Sequence, residues 1–165
     1  SEVTTEGGLD VTGSYDLILN TIKKLNESEI EVSLFIDPSN EAVDLSHKLG
    51  AQWVELHTGT YANLYAMRYS ALPHSHHAID ELRLSRHELD KRLADALEDI
   101  KKTADYAHSL GLKVAAGHGL NYQNVVAMVA IDTITELNIG QSIIARSIFT
   151  GLSSAVKEMK SLCQR

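Results

Sequence analysis

Four short apolar runs alternate with segments of helical period, and this alternation limits the fold more than any other feature of the 165-residue chain. The runs lie at residues 30–36 (IEVSLFI), 52–57 (QWVELH), 112–116 (LKVAA) and 134–139 (ITELNI). A strand that returns to its neighbour through a helix pairs in parallel, so the class is α/β. Before the first run, Tyr15, Ile18, Leu19, Ile22 and Leu25 share a helical stripe over residues 14–25, with Ser14 or Thr12 as cap. Asp37 and Pro38 stop the first strand, and Ser39 or Asn40 caps a helix in which Ala42, Leu45 and Leu49 share a face. Gly50 suits its left-handed terminus. Residues 58–86 read as an elaborated connection, partly helical at 64–72 and interrupted by Pro73 and by His74, His76 and His77. After Ser85, Leu89, Leu93, Leu97, Ile100, Ala104 and Ala107 mark a long helix ended by Gly111. Residues 121–130 give a short helix and 153–162 a closing one, while the first ten residues read as a loop.

Four such units make either a nearly complete flavodoxin-like sheet or half of a (β/α)8 barrel, which usually takes about 250 residues. Periodicity alone leaves both open. With no strand before the first helix and Ser1 rather than Met at the start, we expect a piece of a longer protein.

Hydrophobic residues make up 44% and charged residues 22%, a balance that allows a buried core. The formal net charge of -7 argues against a nucleic-acid or anionic-membrane partner, which wants clustered Lys and Arg. Cys163 is the only cysteine, so no intrachain disulfide forms, and it has no activating neighbour in sequence. No signal peptide or spanning run of about 18 apolar residues is seen, and a cytoplasmic protein is expected.

His118 stands between Gly117 and Gly119 where the third strand ends, the position outside a strand's carboxyl end at which α/β proteins bind ligands. A glycine-flanked surface histidine is the bland alternative. In the second strand, alternation puts Val54 and Leu56 on one side and Trp53, Glu55 and His57 on the other. His57 either orients substrate or Glu55, or is a satisfied structural histidine; Trp53 reads as core or an interface anchor. His74, His76 and His77 have no firm helix to set ligand geometry, so no metal is expected. His47, His87 and His108 fall on expected helices as solvated residues.

The runs VTTEGGLDV (3–11), VSLFID (32–37), ELHTGTYA (55–62), SLGLKVAAGHGLNYQNV (109–125) and ELNIGQSIIARSIFTGL (136–152) closely resemble the pyridoxine 5'-phosphate synthase (PdxJ) family. The resemblance spans almost the whole chain in the family's order, but only the C-terminal two thirds of the family's length. It implies a TIM-type (β/α)8 barrel. Residues 1–165 would be a partial barrel domain, supplying the loop after the fourth strand and strands five to eight, with the N-terminal part absent from this chain. The implied reaction condenses 3-amino-2-oxopropyl phosphate with 1-deoxy-D-xylulose 5-phosphate to pyridoxine 5'-phosphate, releasing inorganic phosphate and water. No metal or organic cofactor is implied, and the family assembles as a homo-oligomer, typically an octamer.

Position by position, the resemblance makes His118 the proton donor, Gly119 a ligand of the aminooxopropyl phosphate, Glu55 a stabiliser of the transition state and Thr4 a substrate-binding residue. Gly140 and Gln141 match the phosphate-binding pair after the last strand. There the family often has His after Gly; Gln141 can donate a neutral hydrogen bond but carries no charge. For Glu55 the bland reading is a carboxylate paired with a nearby cation. The catalytic groups of the family's N-terminal strands have no counterpart here, so this chain is expected to hold an incomplete site: either a missing N-terminal part belongs to the same functional protein, or this piece alone is inactive. The rivals are another phosphate-handling barrel enzyme of aldolase or isomerase type, or a non-catalytic phosphate-binding half barrel.

Overall fold

The computed structural model describes residues 7–164. Among them are strands β1 (Ser33–Ile36), β2 (Trp53–His57), β3 (Lys113–Gly117) and β4 (Ile134–Asn138). The helices are α1 (Tyr15–Glu27), α2 (Asn40–Leu49), α3 (Gly59–Tyr69), α4 (Arg86–Ser109), α5 (Val125–Val129), α6 (Gln141–Thr150) and α7 (Leu152–Leu162). The strands form one parallel sheet in the order β1-β2-β3-β4. A flavodoxin-like sheet reverses its strand order at a switch point, whereas this one never does, which is the winding of a (β/α) barrel.

The chain divides into two compact units. The first takes in the described residues up to His57 together with Asp99–Gly117 and Ile131–Asn138. It holds the sheet, α1, α2 and the second half of α4. Leu34, Val54, Val114 and Ile134 stand in register across the four strands, and with Ile36, Leu56 and Ala116 they are buried. The apolar sides of α1 (Ile18, Ile22), α2 (Val43, Leu49) and the second half of α4 (Ile100, Ala104, Ala107) are buried too. Each large side chain so buried contributes roughly 1.5–3 kcal/mol. The helix ends follow the expected chemistry: Ser39 Oγ accepts from the Ala42 N–H at 3.1 Å, and Gly50 closes α2 at φ 85°.

β1 is shorter than the apolar run that encodes it. It begins at Ser33 because the Val32 N–H is taken by Gln52 Oε1 at 2.8 Å, while Ile30 is exposed and Glu29 has φ 59°. β4 departs from a plain strand as well. Ala115 pairs with Glu136 although Val114 pairs with Ile134, so Thr135 is an extra residue that turns the rest of β4 over.

The second unit comprises Thr58–Glu98, His118–Ala130 and the residues from Ile139 onward. Residues 58–86 are more ordered than the sequence suggests. α3 starts at Gly59 rather than near 64, and two 3-10 turns follow at Leu72–His74 and Asp80–Leu82. Leu64, Met67 and Leu89 form a small core against which Leu72, Ile79, Leu82 and Leu84 pack. A bidentate pair, Arg68 to Asp90 at 2.5 and 3.1 Å, ties α3 to α4. α5 starts at Val125 instead of 121, since Asn121 and Asn124 hold the preceding residues in a turn. α6 is a helix that the residue pattern did not reveal: none of its residues is buried, and Ile144, Ile148 and Phe149 are exposed. Gly151, at φ 78°, separates it from α7, and Arg146 bonds Glu158 across the break at 3.0 and 2.6 Å. No helix among the described residues is long and apolar enough to cross a membrane.

Candidate active site

Within the first unit the sheet face opposite the buried row carries Phe35, Glu55, Ala115 and Glu136 in register. Glu55 is half-buried, and Asn138 Nδ2 donates to its Oε2 at 2.8 Å. Asn138 reaches this face because Thr135 shifts the phase of β4. Gly117, the last residue of β3, makes room for the carboxylate: a β-carbon there would overlap Glu55 Oε1 and press on Asn138. Among the described residues no cation pairs with Glu55. The carboxylate is thus oriented by a neutral donor rather than by an ion pair.

His57 shares that face two residues on and is buried. Its Nδ1 lies 2.9 Å from Asp37 Oδ1, and its ring meets Phe35 edge-on, centroids 5.1 Å apart. A carboxylate only accepts, so Nδ1 is the protonated nitrogen.

Within the second unit lies the turn that leaves β3. His118 has φ 79° and Gly119 φ 76°. Positive φ is uncommon outside glycine and persists only where surroundings enforce it. Here the enforcing bonds are numerous. Buried Thr58 donates from Oγ1 to the His118 carbonyl at 2.5 Å, and buried Asn124 donates from Nδ2 to the Gly119 carbonyl at 3.2 Å. Asn124 Oδ1 also accepts from the Asn121 N–H at 2.7 Å. From α3, Tyr61 donates to the Asn124 carbonyl at 2.9 Å and Tyr65 to the Gln123 carbonyl at 3.0 Å. Burial, reinforced by Tyr65 and Tyr69, pushes the Tyr61 hydroxyl up to about 12, so it remains a donor at any ordinary pH. The backbone of the turn is fixed while the His118 side chain is exposed.

Gly140 and Gln141 open α6, which has no side-chain cap, so its first N–H groups suit an anion. Ser142 donates to the Leu120 carbonyl at 2.9 Å, fastening this helix start to the turn after β3. The second unit therefore brings His118, Gly119, Gly140 and Gln141 to linked backbone segments. The first unit holds Glu55 and His57 on one face. Thr4 lies outside the described residues.

Sequence reasoning missed Asn138, Thr58, Asn124 and Asp37. The first was hidden by the extra residue in β4, and the others act through partners 20 or more positions away or through a tertiary turn. A separate cleft of about 650 Å³ between α3 and the start of α4, lined in part by Met67, Arg68, Pro73, Leu82 and Arg86, contains none of the expected site residues. No group of three or more His, Cys, Asp or Glu suited to a metal occurs among the described residues.

Compared with known proteins, residues 1–165 match the family described as "Pyridoxal phosphate biosynthesis protein PdxJ". The chain is 62% identical over 164 residues to the pyridoxine 5'-phosphate synthase of Sulfurimonas denitrificans, covering 99% of this chain and 63% of that protein. It is 57% identical over 162 residues to the synthase of Aliarcobacter butzleri, covering 98% and 62%, and 59% identical over 161 residues to that of a Sulfurovum species, again 98% and 62%. The chain thus spans less than two thirds of the length of these curated relatives.

Proposed function

The chain belongs to the PdxJ family of pyridoxal phosphate biosynthesis proteins, and from that premise we propose that it forms strands five to eight of a pyridoxine 5'-phosphate synthase barrel. In the complete protein the reaction is the condensation of 3-amino-2-oxopropyl phosphate with 1-deoxy-D-xylulose 5-phosphate, closing a pyridine ring with release of inorganic phosphate and water. The protein acts in the cytoplasm as a homo-oligomer, an octamer as in the family.

Ring closure requires repeated proton transfers at carbon and oxygen, and a histidine is suited to give and take protons near neutral pH. His118 is assigned that proton-donor role. The observation that supports it most is the turn after β3, where Thr58 and Asn124 grip the backbone at positive φ and leave the imidazole exposed. Glu55 stabilises positive charge developing in the transition state, its orientation set by Asn138. Gly119, Gly140 and Gln141 bind phosphate through backbone N–H groups and the Gln141 amide, so this end of the site senses phosphate without a titrating side chain. Thr4 contributes a further substrate contact. The remaining catalytic groups come from the N-terminal strands, and residues 1–165 alone are inactive.

The test is His118→Ala in the complete protein, assayed for pyridoxine 5'-phosphate formation. Turnover should fall by about 10²–10⁴-fold, the usual worth of a general acid or base, with the far-ultraviolet circular dichroism unchanged. Near-normal turnover would remove His118 from the chemistry. Calorimetric binding of the phosphorylated substrates without any turnover by the parent would favour a phosphate-binding module instead.

A further inference from the structure

Asp37 follows directly on β1, and its carboxylate does work that the proposed chemistry leaves unexplained. Oδ1 accepts two hydrogen bonds, one from His57 Nδ1 at 2.9 Å and one from the Gly8 N–H at 3.0 Å. The neighbouring Leu9 N–H donates to the Phe35 carbonyl at 2.7 Å. Gly8 passes so close to β1 that a β-carbon there would overlap the backbone of Ile36 and Asp37. Residues 8 and 9 are therefore strapped along the carboxyl end of β1 by two backbone donors, one to the strand and one to Asp37.

The Asp37 side chain is 62% exposed, and a solvated carboxylate held only by one backbone N–H would exchange among rotamers. His57 removes that freedom. Its ring is buried to 7% relative exposure and wedged edge-on against Phe35, so Nδ1 presents its hydrogen from a fixed point. Buried ring, carboxylate and strap form a chain in which each member sets the next.

We propose that Asp37 and His57 are positioning residues that latch the Gly7–Gly8 strap to the carboxyl end of β1, the end of the sheet at which the proposed chemistry takes place. The link to substrate rests on the synthase reading of the carboxyl ends of the strands, but the latch itself does not. The chemistry needed is an acceptor at Asp37 Oδ1 able to serve two donors; an amide oxygen suffices and a methyl group does not.

The experiment uses the full-length protein with Asp37→Ala, Asp37→Asn and His57→Phe. Hydrogen exchange of the Gly8 amide reads the latch, and KM and kcat for each phosphorylated substrate read its consequence. A hydrogen bond to a charged group is worth enough that Asp37→Ala should speed Gly8 exchange by about 10-fold or more and raise KM for one substrate by a similar factor, with kcat and the other KM changed less than about 3-fold. Asp37→Asn should return both readouts close to the parent's. His57→Phe keeps an aromatic ring against Phe35 but removes the donor, and should speed Gly8 exchange in the same direction. Unchanged Gly8 exchange in Asp37→Ala overturns the latch. Faster exchange with both KM values unchanged overturns its role in substrate binding. A parent protein with no synthase activity would sink the synthase reading instead, and the exchange result would still decide the latch.

Discussion

Two glutamates of the first unit meet opposite fates. Glu31, just before β1, accepts from Lys113 Nζ at 2.8 and 2.9 Å and from Trp53 Nε1 at 2.8 Å, and the Lys113 ammonium also lies 5.0 Å from the Trp53 ring centroid. Lys113 first, then Trp53, holds its carboxyl below the usual carboxylate range. Glu55, at the third residue of β2, receives one neutral amide from Asn138 and has a glycine beneath it. Lys113 and Trp53 are the first residues of their strands, so the amino ends of the sheet satisfy their charges internally. Nearer the carboxyl ends, a carboxylate is aimed but not neutralised. Under the proposed role of Glu55, that division follows the barrel rule that stability resides at one end and chemistry at the other.

The sharpest way to break this contrast is to remove each charge in turn. Glu55→Gln keeps the shape and loses the charge, and turnover of the complete protein should drop by about 10²–10³-fold, as when one preorganised electrostatic group is lost. Its urea midpoint should barely move, since a substitution that makes no cavity and strands no partner stays within about 0.5 kcal/mol. Glu31→Gln should leave turnover intact. Equal activity losses in the two variants would erase the distinction.

Gly117→Ala tests the space under Glu55. The added methyl should cost about 1–3 kcal/mol as overpacking, read from urea unfolding, and should lower turnover by displacing the carboxylate. Glu55→Ala in the same background separates the causes. If the clash is with the carboxylate, the double variant should recover about 0.5–3 kcal/mol of coupling energy; no recovery would place the strain on Asn138 instead.

What the residue pattern could and could not reveal follows the same physics. Val54 and Leu56 were legible as the buried side of β2 because alternation is a local property, and α4 was legible from its stripe of leucines and alanines and from Gly111 at φ 85°. The choice between barrel and flavodoxin-like sheet was not, because strand order is a matter of pairing between distant segments. Asn138 shows how one residue defeats a period. Counting by twos from buried Ile134 puts Asn138 on the face away from Glu55, and the extra Thr135 reverses that assignment. His118 was legible from its glycine neighbours at a strand end. The positive φ at His118 was not, because it depends on Thr58, 60 positions earlier, and on Asn124 within a folded turn. α6 escaped for the opposite reason: apolar residues on its exposed surface blur the stripe that marks a packed helix.

The smallest expected effect is the pH response of Glu31. A carboxyl whose pKa is lower folded than unfolded stabilises the fold above the unfolded value, and this contribution fades as pH falls through the folded value. Urea unfolding should therefore find Glu31→Gln slightly less stable than the parent at neutral pH, with the gap closing as pH falls through and below the ordinary carboxylate range. The group is solvent-exposed, so added salt should shrink the gap at neutral pH as well. A gap that persists unchanged into acid would mean that Glu31 acts through the hydrogen bonds its two oxygens accept from Lys113 and Trp53, of which an amide with one oxygen keeps only part, rather than through charge. A gap that widens in acid would reverse the sign of the linkage, and the amino end of the sheet would then no longer be the place where charge serves stability.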